Sequence, residues 1–312
     1  MELSYTEGTP LAFYKKDRLG GLGVSPYGKV NVIHTTNTTS TTPKKIDLDN
    51  VATLLEDVIR NTKGRITNKN IEELGLALKN NEPPKNKIMK DIYDDIVNKK
   101  GFKSISVNEG GVRPTFNKDE ERKVIYISGM SGCGKSTFVS LMIENYHKIF
   151  PKNRVLFFSN KPSDPQIDKH DFVIRIKLDE SIYQDPFTLE DLRDSLIIYD
   201  DIEYIKDKEI NLELDRLRDL ILQQGRSYHI SYCYISHQLN NYRQSRIILN
   251  ETHMCVLFPQ MTTTYSLKYL LEKYFGFNKN DIAKLKTLPS RWVAINKMPP
   301  AVIHDKGVYM MD

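Results

Sequence analysis

The chain has little that would place it in a membrane or an oxidising compartment. Nowhere in its 312 positions is there a stretch of about 18 apolar residues, the length a bilayer-spanning helix needs. The opening residues, Met1 to Pro10, carry acids and lack a basic region followed by an apolar run, so they do not read as a secretory signal. Cysteine is sparse and odd in number: Cys133, Cys233 and Cys255 form no CxxC pair and no zinc-ligand spacing. That usage suits a reducing compartment, with each thiol a small buried apolar side chain. Neither sign of charge dominates. With 45 Lys+Arg against 40 Asp+Glu, the net charge of +5 permits a nucleic-acid partner without requiring one. No internal repeat is evident. What remains is an ordinary soluble composition, long enough for one large or two modest domains with a real core. The expectation is an intracellular protein without membrane insertion.

The most informative stretch present is Gly129-Met130-Ser131-Gly132-Cys133-Gly134-Lys135-Ser136, a full match to the P-loop pattern G-x-x-x-x-G-K-[ST]. Lys123 to Ser128 (KVIYIS) before it reads as a short buried strand ending at a glycine. After it, Thr137 to Phe150 places Phe138, Leu141, Met142 and Ile149 at helical spacing, and Pro151 is the stop. A glycine-rich turn with a solvated lysine would not need these flanks. The glycines let backbone N–H groups turn inward around phosphate oxygens, and the helix N-terminus adds partial positive charge. Gly129, Met130, Ser131, Gly132, Cys133, Gly134, Lys135, Ser136 and Thr137 are therefore the expected ATP-binding residues. Lys135 supplies a full charge to the terminal phosphates, and Ser136 is the expected Mg2+ ligand.

Composition divides the chain in three. Residues 1–43, with Gly20-Gly21-Leu22-Gly23 and a threonine-rich run before Pro43, read as a flexible arm or linker. Its aromatic-basic patch, Phe13-Tyr14-Lys15-Lys16, reads as a solvated tail before it reads as a partner contact. Residues 44–110 read as a small helical module. Leu48, Val51, Leu54, Leu55, Val58 and Ile59 share one face; Ile71, Leu74, Leu76 and Leu78 make a second helix, and Ile88, Ile92, Ile96 and Val97 a third. Gly110-Gly111 and Pro114 mark a boundary. Residues 111–312 alternate short apolar strands with helical stretches, which argues for an α/β domain: a mostly parallel sheet flanked by helices. Within it, 172–176 reads as an edge strand, and 292–296 with 301–303 as a final strand pair.

Two further strand ends complete the candidate site. Leu196-Ile197-Ile198-Tyr199-Asp200-Asp201 is an apolar strand ending in two acids, the Walker B form. Asp200 is placed to hold Mg2+ opposite Ser136, and Asp201 to orient and deprotonate the attacking water. The strand Ile230 to Ile235 ends in Ser236, His237 and Gln238. If it lies between the P-loop strand and the Asp200 strand, Gln238 sits beside the γ-phosphate; otherwise these are ordinary strand-end polar residues. Just before it, Gln224-Gly225-Arg226-Ser227-Tyr228 leaves two readings for Arg226: a cation reaching a neighbouring subunit's γ-phosphate, or a solvated surface arginine.

The series GMSGCGKS, LIIYDD, QQGRSYHIS and CYISHQ resembles the DNA-packaging ATPases of large eukaryotic double-stranded DNA viruses, in the FtsK–HerA superfamily of P-loop motors. The resemblance covers residues 123 to about 260 and implies a RecA/FtsK–HerA-like P-loop NTPase fold. It implies catalytic roles for Lys135, Asp201, Gln238 and Arg226, metal ligation by Ser136 and Asp200, and ATP with Mg2+ as cofactors. The family's catalytic acid is often glutamate, so Glu203 stays in reserve beside Asp201. The resemblance further implies a ring-shaped homo-oligomer that pumps double-stranded DNA, with little regard to sequence, into capsids. The place of action would be the viral assembly site in the host cytoplasm, or the virion. Asn240 to Arg246 is the candidate DNA loop, with a solvated connection as the equal alternative. Two other classes compete. A small-molecule or nucleoside kinase would carry an arginine-rich lid, and none is evident; a nucleotide-gated scaffold would put its function in the helical module.

Overall fold

The computed structural model describes residues 2–4, 8–14, 31–36, 67–80, most of 82–93, 104–106, and 111–311 apart from 238 and 240–243. They fall into two compact units, Met1–Arg113 with Lys306–Asp312, and Pro114–Asp305.

In the first unit, β1 (Glu2–Ser4), β2 (Thr9–Tyr14) and β3 (Asn31–Thr36) form an antiparallel sheet with β3 in the middle. These strands fall where a flexible arm is expected. Their alternation is hidden because they are short and because β2 shifts register between Pro10 and Ala12, which turns both Leu11 and Ala12 into the core. Tyr14, from the aromatic-basic patch, is likewise buried, so it packs where a solvated tail is expected; Lys15 and Lys16 lie outside the described residues. The helix Asn68–Asn80 buries Leu74 and Ala77 and leaves Leu76 exposed. The expected helix around Leu48 to Ile59 lies outside the described residues; of the third, Met89 and Tyr93 are described and buried. A second antiparallel pair joins β4 (Ser104–Ser106) to β14 (Gly307–Met310), so the chain's last strand belongs to this unit. A two-residue strand, β5 (Arg113–Pro114), stands at the boundary.

The second unit is an α/β domain. Its strands are β6 (Val124–Ser128), β7 (Arg154–Ser159), β8 (Val173–Ile176), β9 (Ser195–Asp200), β10 (Ser231–Ser236) and β11 (Met254–Leu257), all parallel, and the antiparallel β12 (Val293–Asn296) and β13 (Ala301–His304). They run in the order β13-β12-β11-β6-β10-β9-β7-β8. Every residue of β6, β9, β10 and β11 is buried, the pattern of strands covered on both faces, which is why their sequences run apolar without alternating. Helices Lys135–Ile149, Lys208–Gln224, Gln244–Glu251, Thr264–Phe275 and Lys279–Thr287 connect them. Their starts are fixed locally. The Asp207 side chain accepts from the Glu209 and Ile210 amides, and Asn278 with Asp281 forms a capping box.

Two features of this order set up the site. β8 is the edge, and β10 is inserted between β6 and β9, pairing Ser236 with Ser128 and Ile235 with Asp200. The condition attached to the β10 strand is therefore met. The C-terminal ends of β6, β10, β9 and β7 stand side by side, where open α/β sheets place their ligands.

Candidate nucleotide-binding site

The P-loop leaves β6 at Gly129, whose amide donates to the Ser236 carbonyl of β10. A Cβ at Gly129 would stand 2.6 Å from Cys133 Sγ and 2.9 Å from the Phe258 ring, so close approach, not only flexibility, requires glycine here. Gly134, with φ of 109°, makes the left-handed turn into the helix that starts at Lys135. Cys133 is fully buried and its thiol is pushed up by burial, an inert packing residue as its sparse usage suggests. Met130, Ser131, Gly132 and Thr137 are exposed.

Lys135 is held inward, 7% exposed. Its Nζ donates to the carbonyls of Gly129 (2.5 Å) and Met130 (3.2 Å) and lies 3.2 Å from His237 Nδ1. Burial lowers its pKa, opposed by the nearby Asp201 and Asp200 carboxylates among others. Ser136 Oγ donates to Asp164 Oδ2 at 2.7 Å. Asp164 also caps the short helix Pro165–Asp168 by accepting from the Gln166 amide.

Facing the loop, Asp200 ends β9 and Asp201 follows it, 4% and 7% exposed. Burial first, and then the Asp201 charge, push Asp200 up to about 6; Lys161 opposes the shift. Lys161 Nζ pairs with Asp201 Oδ2 and lies 3.5 Å from Asp200 Oδ2. Asp201 adopts a left-handed backbone, φ 55°, unusual for a residue other than glycine and a recurrent mark of functional sites. Its Oδ1 lies 2.5 Å from His237 Nε2. Glu203, in the turn Ile202–Tyr204, accepts from Ser236 Oγ (2.5 Å) and Tyr234 OH (3.3 Å). Its Oε2 is buried with no hydrogen-bond partner, and burial raises its pKa.

The oxygens of Ser136, Asp164 and Asp200 form a hard donor set of the kind Mg2+ takes. Among the described residues no group of three or more His, Cys, Asp or Glu could hold a metal alone.

No protein-family model matches the chain. It is 35% identical over 217 residues to an uncharacterized protein, V3, of the Sputnik virophage, covering 69% of this chain and 86% of that protein. The chain belongs to the V3 family. More distant likenesses are structural. B204, described as the DNA-packaging ATPase of Sulfolobus turreted icosahedral virus, is 14% identical over 58% of this chain and 96% of its own, with a TM-score of 0.43. EssC (ATPases 2 and 3) of Geobacillus thermodenitrificans is 11% identical over 67% of this chain and 44% of its own, at 0.41.

In this V3-family chain, the structure brings Lys135, Ser136, Asp200 and Asp201 together. Arg226 is elsewhere. It lies in the turn Gly225–Tyr228 that precedes β10, so the six-residue strand, a rise of about 20 Å, separates it from the P-loop end of the sheet. Its side chain is 73% exposed and pairs with Glu121. Gln238 lies outside the described residues, as do 240–243; Arg246 is exposed on the helix Gln244–Glu251. Three site residues escaped the sequence patterns. Lys161 and Asp164 come from the loop after β7, which reaches the site because β7 pairs with β9. Arg291 reaches the P-loop from just before β12, donating to the Gly132 carbonyl at 3.0 Å. The only signal for the first two was a run of polar residues, Asn160 to Asp164, at a strand's C-terminal end.

Proposed function

We propose that this protein is an ATP-hydrolysing motor that translocates double-stranded DNA into capsids during virion assembly. The observation that carries the hydrolytic part is the insertion of β10 between β6 and β9, which sets a strand end between the P-loop lysine and the acid pair. Lys135 receives the terminal phosphates, and Asp201 orients a water in line with the γ-phosphorus. The water oxygen bonds to phosphorus, the bond to the bridging oxygen breaks, and the water's proton passes to Asp201. Mg2+, held by Ser136 and Asp200, would neutralise charge on the phosphate oxygens. Gln238, next in the chain to His237, is assigned to the γ-phosphate. Arg226 is assigned to the site of a neighbouring subunit in a head-to-tail ring.

The polymer substrate is supported by the resemblance of the four sequence segments to DNA-packaging ATPases, and by the basic segment after β10. Phosphate contact alone gives sequence-tolerant binding that weakens steeply with salt. Replacing Arg243 and Arg246 together by alanine is expected to lower the slope of log affinity against log salt by up to about two, near 0.9 for each lost phosphate contact. DNA stimulation of ATP turnover should fall with it while basal turnover stays nearly intact. An unchanged DNA response in the double variant would return residues 240–246 to a solvated connection.

A further inference from the structure

One side chain at the end of β10 joins the two halves of the nucleotide site and has no task in the hydrolytic scheme. His237 stands between the P-loop and the acid pair, with Nδ1 3.2 Å from Lys135 Nζ and Nε2 2.5 Å from Asp201 Oδ1. An ammonium has only hydrogens to give, so Nδ1 must accept from Lys135. The ring proton then belongs on Nε2, 2.5 Å from Asp201 Oδ1, a buried oxygen with no aligned hydrogen bond of its own, so Nε2–H is a donor within reach of it. The ring is held in place: its side chain is 19% exposed, and Tyr204 meets it edge-on at 6.2 Å between centroids.

We propose that His237 is a positioning residue that orients the Asp201 carboxylate for water activation and ties that orientation to the P-loop lysine. The proposal rests on the hydrolytic reading of the site. A carboxylate able to rotate presents its lone pairs to a water only part of the time. Here Lys161 pairs with Oδ2 and the His237 ring stands 2.5 Å from Oδ1, so the carboxylate is bounded at both oxygens of a strained backbone position. Lys135 divides its hydrogens among two carbonyls and the imidazole. When it turns to a phosphate it gives up the Nδ1 contact, while Nε2 stays beside Asp201. His237 therefore acts on the proton-accepting step and contributes little to nucleotide affinity.

Two substitutions separate the two ring nitrogens. The amide nitrogen of His237→Gln reaches the Nε2 position and keeps a donor within reach of Asp201, whereas the short amide of His237→Asn reaches only the Nδ1 side. Expected kcat losses for ATP hydrolysis are about 10- to 100-fold for His237→Ala and His237→Asn, the usual range for an orienting partner, and about threefold or less for His237→Gln. Affinity for a fluorescent ATP analogue should stay within about threefold of wild type in all three. Retention of full kcat in His237→Ala, or no advantage of Gln over Asn, would overturn the proposal while wild-type turnover keeps the hydrolytic reading intact. The 15N shifts of His237, assigned by difference against His237→Gln, supply a readout independent of turnover. The Nε2–H tautomer is expected, with Nδ1 moving on Lys135→Ala, and an Nδ1–H tautomer contradicts it. If the wild type shows no turnover with ATP, the hydrolytic reading fails and the assigned role in water activation fails with it.

Discussion

Arg226→Ala is expected to bind ATP as the wild type does and to lose turnover by a factor of ~10³ or more, the range found for arginines supplied across a subunit boundary. Placement within the chain gives this its force. The Arg226 turn lies at the start of β10 and the P-loop contacts the end of the same strand, so Arg226 does not serve its own chain's nucleotide. It is well exposed, and its partner Glu121 is a surface carboxylate whose pKa the guanidinium lowers, a pair that a closer anion can displace. Head-to-tail contact in a ring completes each site with a neighbour's residue. Mixing Arg226→Ala with Lys135→Ala, itself unable to hold the terminal phosphates, should restore part of the activity. In such a ring, intact pockets of the first variant receive Arg226 from the second. Shown co-assembly of the two variants with no recovered turnover would rule out the trans assignment and leave Arg226 a surface arginine.

Asp201→Asn is expected to keep nucleotide affinity and to lose turnover by about 10²- to 10⁴-fold, the usual contribution of a positioned general base. An amide keeps the size and one hydrogen-bond acceptor of the carboxylate but cannot take the water's proton. The two acids near this strand end are held differently. Asp201 pairs with Lys161 and lies against His237, beside the P-loop lysine. Glu203 is tied down to the Ser236 and Tyr234 hydroxyls of β10, with its other oxygen buried. Glu203→Gln should accordingly retain most of its turnover. The reverse pattern, with Asp201→Asn active and Glu203→Gln dead, moves the base to Glu203. Single-turnover phosphate release with a parallel binding titration measures both variants.

The parts of this site carried by a contiguous segment could be read from the chain alone. Glycine spacing, a buried strand before it and a helix after it are local facts, and they locate Lys135 and Ser136. The acid pair is almost as local, since an apolar strand ending in Asp200-Asp201 needs only its own sequence. The place of β10 could be stated only as a condition, because strand order depends on which crossovers pack together, and the sheet supplies it. Lys161 and Asp164 were invisible for the same reason: they matter only because β7 lies beside β9. His237 reads as strand-end polarity until Lys135 and Asp201 are brought to its two nitrogens. At the N-terminus the patterns misled. Strands of three to six residues, one with a bulge, present too few alternating positions to stand out from a linker.

Steady-state phosphate release by the wild-type protein, with and without linear double-stranded DNA, reads out whether this chain couples ATP hydrolysis to duplex DNA. Basal hydrolysis that rises with duplex DNA of any sequence, and loses that rise as salt increases, is the expected result. Hydrolysis indifferent to DNA, phosphoryl transfer only to an added small-molecule hydroxyl, or tight ATP binding with no turnover would contradict it.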